Sequence, residues 1–190
     1  MSLEAGAKTT YDIKVLTENA ILIDRDVIVD IYTGFEKVLR FVGGLLYTAS
    51  KRAGKLTAER LEKKGILNRE NALDLLFWSF TAAGYADRVE IVDVKMGKKD
   101  TEVELRLIGT LLGSRLKGRK RPVDQPLAGY IAGWLEHVYG HRVDARETKC
   151  AAKGDDSCIF NVKIHGRVGE LAKAVGRIYK RTEHTHSLIG

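Results

Sequence analysis

Cysteine, proline and long apolar runs are scarce in this chain of 190 residues. It has two cysteines and two prolines, and two cysteines cannot form a disulfide framework. No stretch approaches the about 18 uncharged apolar residues that a membrane-spanning helix needs, and residues 1–10 lack the apolar core of a signal peptide. These absences argue against a disulfide-rich secreted scaffold. We expect a cytoplasmic protein with no membrane partner.

The composition is that of an ordinary globular protein, with 44% hydrophobic and 30% charged residues. The length suits one domain. We assign residues 1–10 to a disordered leader, 11–181 to a single domain, and 182–190 to a flexible tail that includes His184 and His186. The net charge of +7 permits nucleic-acid contact. However, the densest basic cluster, Arg115 to Arg121, has no interleaved aromatic side chains to stack on bases, so this partner is not favoured.

Hydrophobic periodicity predicts the order of helices and strands. Helical spacing covers 27–49, with a bend at Gly43-Gly44, and then 57–65, 68–84, 122–139 and 168–180. Two-residue alternation covers 88–95, 101–108, 143–149 and 158–164, with shorter strand-like pieces at 11–16 and 20–23. Gly129 and Gly133 lie four residues apart on one predicted helix, a spacing that lets another backbone approach closely.

The stretch 140–166 contains both cysteines and an inward-pointing carboxylate. Alternation places Glu147 on the apolar face of one strand and Cys158 on the inner face of the next. Gly154 to Ser157 supply the turn between the two strands. An ionised carboxylate on an apolar face is unfavourable unless it is paired or bound to a metal, and two thiols lie close to it in sequence.

Residues 124–162 resemble the signature of the 4-vinyl reductase domain family. The resemblance rests on Pro126 to Trp134, Gly140, the Glu147-Thr-Lys-Cys150 motif, Gly154-Asp155-Asp156 and Cys158. It implies an α+β domain with an antiparallel sheet packed by helices, similar to the NO-signalling/Golgi-transport ligand-binding fold. It also implies an apolar ligand pocket and a homodimer.

The resemblance further implies a zinc site made of a Glu-x-x-Cys pair, a cysteine eight residues later and an upstream cysteine. Glu147, Cys150 and Cys158 match the first three positions, and Asp124 occupies the fourth. Aspartate is itself a zinc ligand, and four protein ligands would make the site structural. His141 or His165 would be alternative fourth ligands. A Cys150–Cys158 disulfide and unligated buried thiols remain alternatives to the metal site.

We therefore favour a non-enzymatic domain that binds or senses a hydrophobic, aromatic or lipid-like small molecule. Large apolar side chains on inward faces are the candidate ligand contacts: Phe77, Phe80, Val103, Leu105, Tyr130 and Trp134. No nucleotide-binding, nucleophile-elbow or H-E-x-x-H motif is present, and no site for an electron donor is recognisable. The alternative is an enzyme or enzyme subunit in tetrapyrrole or aromatic metabolism.

Overall fold

A computed structural model describes residues 11–39, 41–174 and 178–180. The predictions for 1–10 and 182–190 lie outside these residues, and the assignment of 11–181 to one domain stays a prediction. The helices are α1 (Lys14–Thr17), α2 (Arg25–Val38), α3 (Val42–Lys63), α4 (Ala72–Ala82) and α5 (Gln125–Tyr139). The strands are β1 (Arg88–Met96), β2 (Thr101–Ile108), β3 (Val143–Lys149), β4 (Cys158–Ile164) and β5 (Ile178–Lys180). Ala151–Lys153 and Gly169–Ala174 form short 3₁₀ helices.

The described strands form one five-stranded antiparallel sheet in the order β3-β4-β2-β1-β5. Alternation in β2 buries Val103, Leu105 and Leu107 and leaves Glu102 in water. Helices α4 and α5 pack on the buried side of the sheet. The predicted α+β fold is confirmed. No helix among the described residues is long and apolar enough to cross a membrane, and the cytoplasmic location stays a prediction.

Helices α3 and α5 approach each other backbone to backbone. A Cβ atom at Gly129 would collide with the carbonyl of Tyr47, and one at Gly133 with the carbonyl of Lys51. On the facing helix, a Cβ at Gly54 would collide with the carbonyl of Tyr130. The close approach predicted from the spacing of Gly129 and Gly133 is therefore confirmed. It brings α3 against the helix that begins after Asp124.

The predicted helix at 27–49 is wrong in its continuity. Leu39 adopts an extended conformation and ends α2, whereas Gly43 and Gly44 lie in the first turn of α3. The chain therefore breaks before the glycines rather than bending at them. The predicted helix at 57–65 is not separate, because α3 continues without interruption to Lys63. Asn68 closes a turn by accepting from the amides of Glu70 and Asn71, so α4 begins only at Ala72.

The predicted helix at 168–180 is also wrong. A 3₁₀ helix covers Gly169–Ala174, and the backbone of Ile178–Lys180 pairs with β1. Without this partner β1 would be an edge strand with unpaired backbone groups, and pairing satisfies them. At the other end of the chain, the short strands expected at 11–16 and 20–23 are absent from the described residues. A single helical turn, α1, lies there instead, with Tyr11, Ile13 and Leu16 against the core.

Candidate metal centre

Asp124, Glu147, Cys150 and Cys158 converge at one end of the sheet. Asp124 precedes α5, Glu147 lies in β3, Cys150 follows β3 and Cys158 begins β4. Each residue is at most 1% exposed, and their ligand atoms lie within 4.8 Å of one another. We call them the four-residue cluster. The four side chains named from the sequence therefore meet in a geometry that could hold a metal ion.

A β-bulge brings Glu147 and Cys150 to the same side of the sheet. Strict alternation would turn Cys150 outward if Glu147 points inward, because the two residues are three apart. The pairing of β3 with β4 shifts between Glu147 and Lys149, and Thr148 and Lys149 are both exposed. The extra residue restores the inward direction at Cys150. The Glu-x-x-Cys spacing thus depends on an irregularity that periodicity does not predict.

The turn after β3 closes the cluster. Asp155 accepts a hydrogen bond from the Cys150 amide at 2.8 Å, and the Cys150 carbonyl in turn accepts from the Lys153 amide at 2.9 Å. Gly154 has a φ of 101°, in the left-handed region that favours glycine. This 3₁₀ turn brings the chain back to Cys158. The Ala151 amide then donates to the Cys158 sulfur at 3.4 Å.

Each carboxylate of the cluster has one engaged oxygen and one without a partner. The backbone amide of Asp124 donates to Glu147 Oε2 at 2.8 Å. Thr110 donates its hydroxyl proton to Asp124 Oδ2 at 2.6 Å. Asp124 Oδ1 and Glu147 Oε1 are buried and have no hydrogen-bond partner among the described residues. Buried polar atoms are almost always satisfied, so these two oxygens indicate that a group is expected between them.

The electrostatics of the cluster also favour a bound cation. Burial raises the pKa of Asp124 to about 6 and, with the neighbouring Asp124 charge, that of Glu147 to about 10. A hydrogen bond from the Cys158 thiol lowers the pKa of Cys150 to about 5, and the same bond raises the pKa of Cys158. Across the described residues, no basic side chain forms an ion pair with the cluster. Buried negative charge without a counter-ion is costly.

The residues present fit a tetrahedral metal ion with two sulfur and two oxygen donors. Thiolates combined with carboxylate oxygens are typical zinc ligands. Gly113 lies directly against this site, since a Cβ there would be 2.7 Å from Asp124 Oδ2 and 2.8 Å from the Cys158 sulfur. Sequence reasoning missed Gly113, because no local pattern distinguishes it from a loop glycine. The glycine leaves the space that the ligands require.

The alternatives considered for the cluster find no support in this geometry. His165 bonds to Asp144 at 2.7 Å and is exposed, and the ring of His141 lies against Gly166. Neither histidine joins the cluster of potential ligands among the described residues. Both cysteines are free thiols rather than a disulfide.

The candidate ligand contacts lie in the core around α4, α5 and β2. Phe77, Phe80, Val103, Leu105 and Trp134 are at most 2% exposed, and Tyr130 is partly buried. The Tyr130 ring lies 5.7 Å from Phe80 and 6.2 Å from Trp134, so three of the aromatic residues form one cluster. Val103 also lines a 270 Å³ surface cavity on the outer side of the sheet, with polar neighbours. The role of these residues in ligand binding stays a prediction.

The basic cluster is partly neutralised by α2. Arg115 lies 3.3 Å from Asp26, and Arg119 lies 3.0 Å from Glu36. Tyr32 is the one buried side chain of α2, and the charges of Asp124 and Glu147 are among the causes that raise its pKa. Helix α2 therefore lies against the loop that leads to the four-residue cluster. A nucleic-acid partner stays an unfavoured prediction.

Comparison with known proteins matches residues 111–164 to the vinyl-4-reductase domain family, the family named above from the sequence. Two uncharacterized proteins of Methanocaldococcus jannaschii align over short stretches. MJ0150 is 51% identical over 41 residues, 22% of this chain and 24% of that protein. MJ1460 is 34% identical over 55 residues, 29% of this chain and 32% of that protein. The alignments thus span no more than a third of either relative, and the predicted family resemblance is confirmed over residues 111–164.

Three solved structures share the fold. The phenol-responsive sensory domain of the transcription activator PoxR, solved with phenol, has a TM-score of 0.65 and 17% identity, and the match covers 76% of each chain. Trafficking protein particle complex subunit 3 from Naegleria fowleri, covalently bound to palmitic acid, has a TM-score of 0.53 at 18% identity, covering 76% of this chain and 96% of that one. A vinyl-4-reductase family protein from Methanocaldococcus jannaschii has a TM-score of 0.52 at 18% identity, covering 84% and 99%.

Proposed function

We propose that this chain is a small-molecule-binding or sensing domain that takes a hydrophobic ligand, holds a structural zinc ion and acts as a homodimer. The observation that carries the proposal is the buried convergence of two thiols and two carboxylates without a protein counter-ion among the described residues. This cluster lies at the start of α5, and the same helix carries Tyr130 and Trp134 further along. The metal site and the aromatic core thus share one rigid element.

Zinc is the metal that the donor set favours. Cys150 and Cys158 supply soft sulfur ligands, and Asp124 and Glu147 supply oxygen through the atoms that have no other partner in the described part of the chain. Four protein ligands leave no open position, which is typical of a structural site. The ion would join the β3–β4 hairpin to the residue that precedes α5. Its binding free energy would then contribute to folding stability.

The ligand class is proposed from the core and from the structures that share the fold. The PoxR sensory domain is described with phenol, and the trafficking subunit with palmitic acid. Both molecules are largely apolar. In this chain, Phe80, Tyr130 and Trp134 form an aromatic cluster next to the inward face of β2. Aromatic and aliphatic side chains of this kind line most small-molecule pockets, so we propose an aromatic or lipid-like ligand.

The homodimer is proposed from the exposed side of α2. Val27, Ile31, Phe35 and Val38 recur at helical spacing, and their exposures are 48%, 50%, 46% and 79%. Exposed apolar stripes of this kind mark interaction surfaces, and a second copy of the chain is the commonest partner in symmetric assemblies. Analytical ultracentrifugation should show a dimer. Ile31→Ser with Phe35→Ser should yield monomers, whereas Lys37→Ser on the same helix should not; a wild-type monomer would contradict the dimer.

Native mass spectrometry with elemental analysis tests the metal and the ligand together. We expect one zinc per chain, retained by wild-type protein and lost in a Cys150→Ser, Cys158→Ser double variant. Palmitic acid or phenol, added separately, should raise the melting temperature, since a ligand that binds only the folded state stabilises it. Absence of zinc from metal-replete protein would contradict the metal site. A bound flavin or redox turnover would favour the enzyme alternative instead.

A further inference from the structure

Thr110 contacts the four-residue cluster without belonging to it. It follows β2 by two residues and is 1% exposed. Its hydroxyl lies 2.6 Å from Asp124 Oδ2 and 3.3 Å from the Cys158 sulfur. Its backbone carbonyl accepts from both the amide and the hydroxyl of Ser114, at 3.0 and 2.7 Å. Thr110 is therefore fixed by its own loop and touches two of the proposed metal ligands.

The contact decides which oxygen of Asp124 is available. A threonine hydroxyl has one proton, and the 2.6 Å distance to Oδ2 places that proton on the bond to Asp124. The Cys158 thiol lies 3.4 Å from the same oxygen and donates to it. Oδ2 is thus engaged twice, while Oδ1 is buried without a partner among the described residues.

A matching arrangement holds the second carboxylate. Glu147 Oε2 accepts from the Asp124 amide, and Glu147 Oε1 has no partner among the residues described. A carboxylate, unlike a thiolate, presents two equivalent oxygens on a rotatable bond, so its orientation must be set by a neighbour. Metal ligands are commonly oriented in this way by hydrogen bonds from residues that do not touch the metal.

We propose that Thr110 is a positioning residue of the metal site. Its hydroxyl holds Asp124 so that Oδ1, and not Oδ2, is the oxygen offered to the ion, and it lies beside Cys158 where a thiolate would accept a hydrogen bond. The inference rests on the proposed metal site. It assigns to Thr110 a role that its position outside the 124–158 motif does not suggest.

Zinc affinity and the absorption spectrum of the cobalt(II)-substituted full-length protein test this role. Thr110→Val removes the hydroxyl at nearly constant volume and should lower zinc affinity roughly 10- to 100-fold. It should also shift the cobalt d–d bands, because the oxygen ligand is no longer fixed. Thr110→Ser keeps the hydroxyl and should restore both properties to within about twofold, well below the loss expected from an outer ligand contact.

Thr101→Val is the matched control. Thr101 is also fully buried and donates its hydroxyl to the Gly166 carbonyl at 2.9 Å, but it lies at the opposite end of β2 from the cluster. We expect it to leave zinc affinity and the cobalt spectrum unchanged, even if the protein is less stable. A loss of affinity in Thr101→Val equal to that in Thr110→Val would reduce Thr110 to a general structural role and overturn the inference.

The outcomes separate this inference from the proposed function. Wild-type protein that binds neither zinc nor cobalt would contradict the metal site itself. Metal binding by wild type with the same affinity and spectrum in Thr110→Val would overturn the role of Thr110 alone. If Thr110→Val does not fold, Thr110→Ala is measured in the same way, and wild-type behaviour of that variant would equally overturn the role.

Discussion

Zinc binding should release about two protons per ion near neutral pH. Metal ligands bind in their deprotonated forms. In the metal-free cluster Asp124, with a pKa of about 6, and Cys150, with a pKa of about 5, are already ionised at a pH of about 7.5. Glu147, with a pKa raised to about 10, and Cys158, whose pKa is also raised, still hold their protons. One proton from each of these two residues must leave when the ion enters.

The sign and size of the pH dependence follow from this count. Each proton released raises the apparent affinity about tenfold per pH unit, equivalent to about 1.4 kcal/mol. Two protons therefore predict about a 100-fold gain per pH unit between about pH 7 and 8, and the same loss on acidification. Below a pH of about 6 Asp124 also becomes protonated, so the loss should steepen.

Isothermal titration calorimetry in buffers with different ionisation enthalpies counts the protons directly. Chelator competition at about pH 7 and pH 8 measures the affinity. Glu147→Gln cannot release a proton, so this variant should release about one per ion in place of two. Asp144→Asn, an exposed carboxylate away from the cluster, should leave the count unchanged. Wild-type release of fewer than about one proton near neutral pH, or an unchanged count in Glu147→Gln, would refute the reasoning.

Three further substitutions test the packing that supports the site. Gly113→Ala should weaken zinc binding about 10-fold or more by displacing Asp124 or Cys158; chelator competition measures this, and Gly169→Ala, with no atom near its Cβ position, should bind normally. Gly133→Ala should lower the free energy of unfolding by about 1–3 kcal/mol in urea denaturation, because it forces α3 from α5, whereas Gly44→Ala in open space should raise it by up to about 1 kcal/mol. Leu105→Ala should lower it by about 2–5 kcal/mol, since this side chain is fully buried; a loss below about 1 kcal/mol would contradict its place in the core.

The proposed ligand set could be named before any coordinates because its parts lie close in sequence. Glu147 and Cys158 follow from strand alternation, and the resemblance to the family supplied Asp124 and Cys150. The inward direction of Cys150 could not be obtained from alternation, since it depends on the bulge between Glu147 and Lys149. A bulge changes the phase of a strand by one residue, and no periodic pattern encodes that change.

The residues around the ligands could not be found in the same way. Thr110 and Gly113 lie in an irregular loop, and only the folded chain brings them next to Asp124 and Cys158. The apolar spacing at 168–180 suggested a helix for a similar reason. It reports local amphipathicity but not the open edge of β1, to which residues 178–180 bond. Tertiary hydrogen bonding therefore overrides the local pattern there.

The glycines between α3 and α5 have a mechanical consequence. Because carbonyl groups rather than flexible side chains fill that contact, the two helices cannot slide or turn past each other without a steric collision. The pair consequently behaves as a single lever. A small displacement of Asp124 at one end of α5 would be carried by α3 to Val42, where the chain joins the exposed apolar stripe of α2.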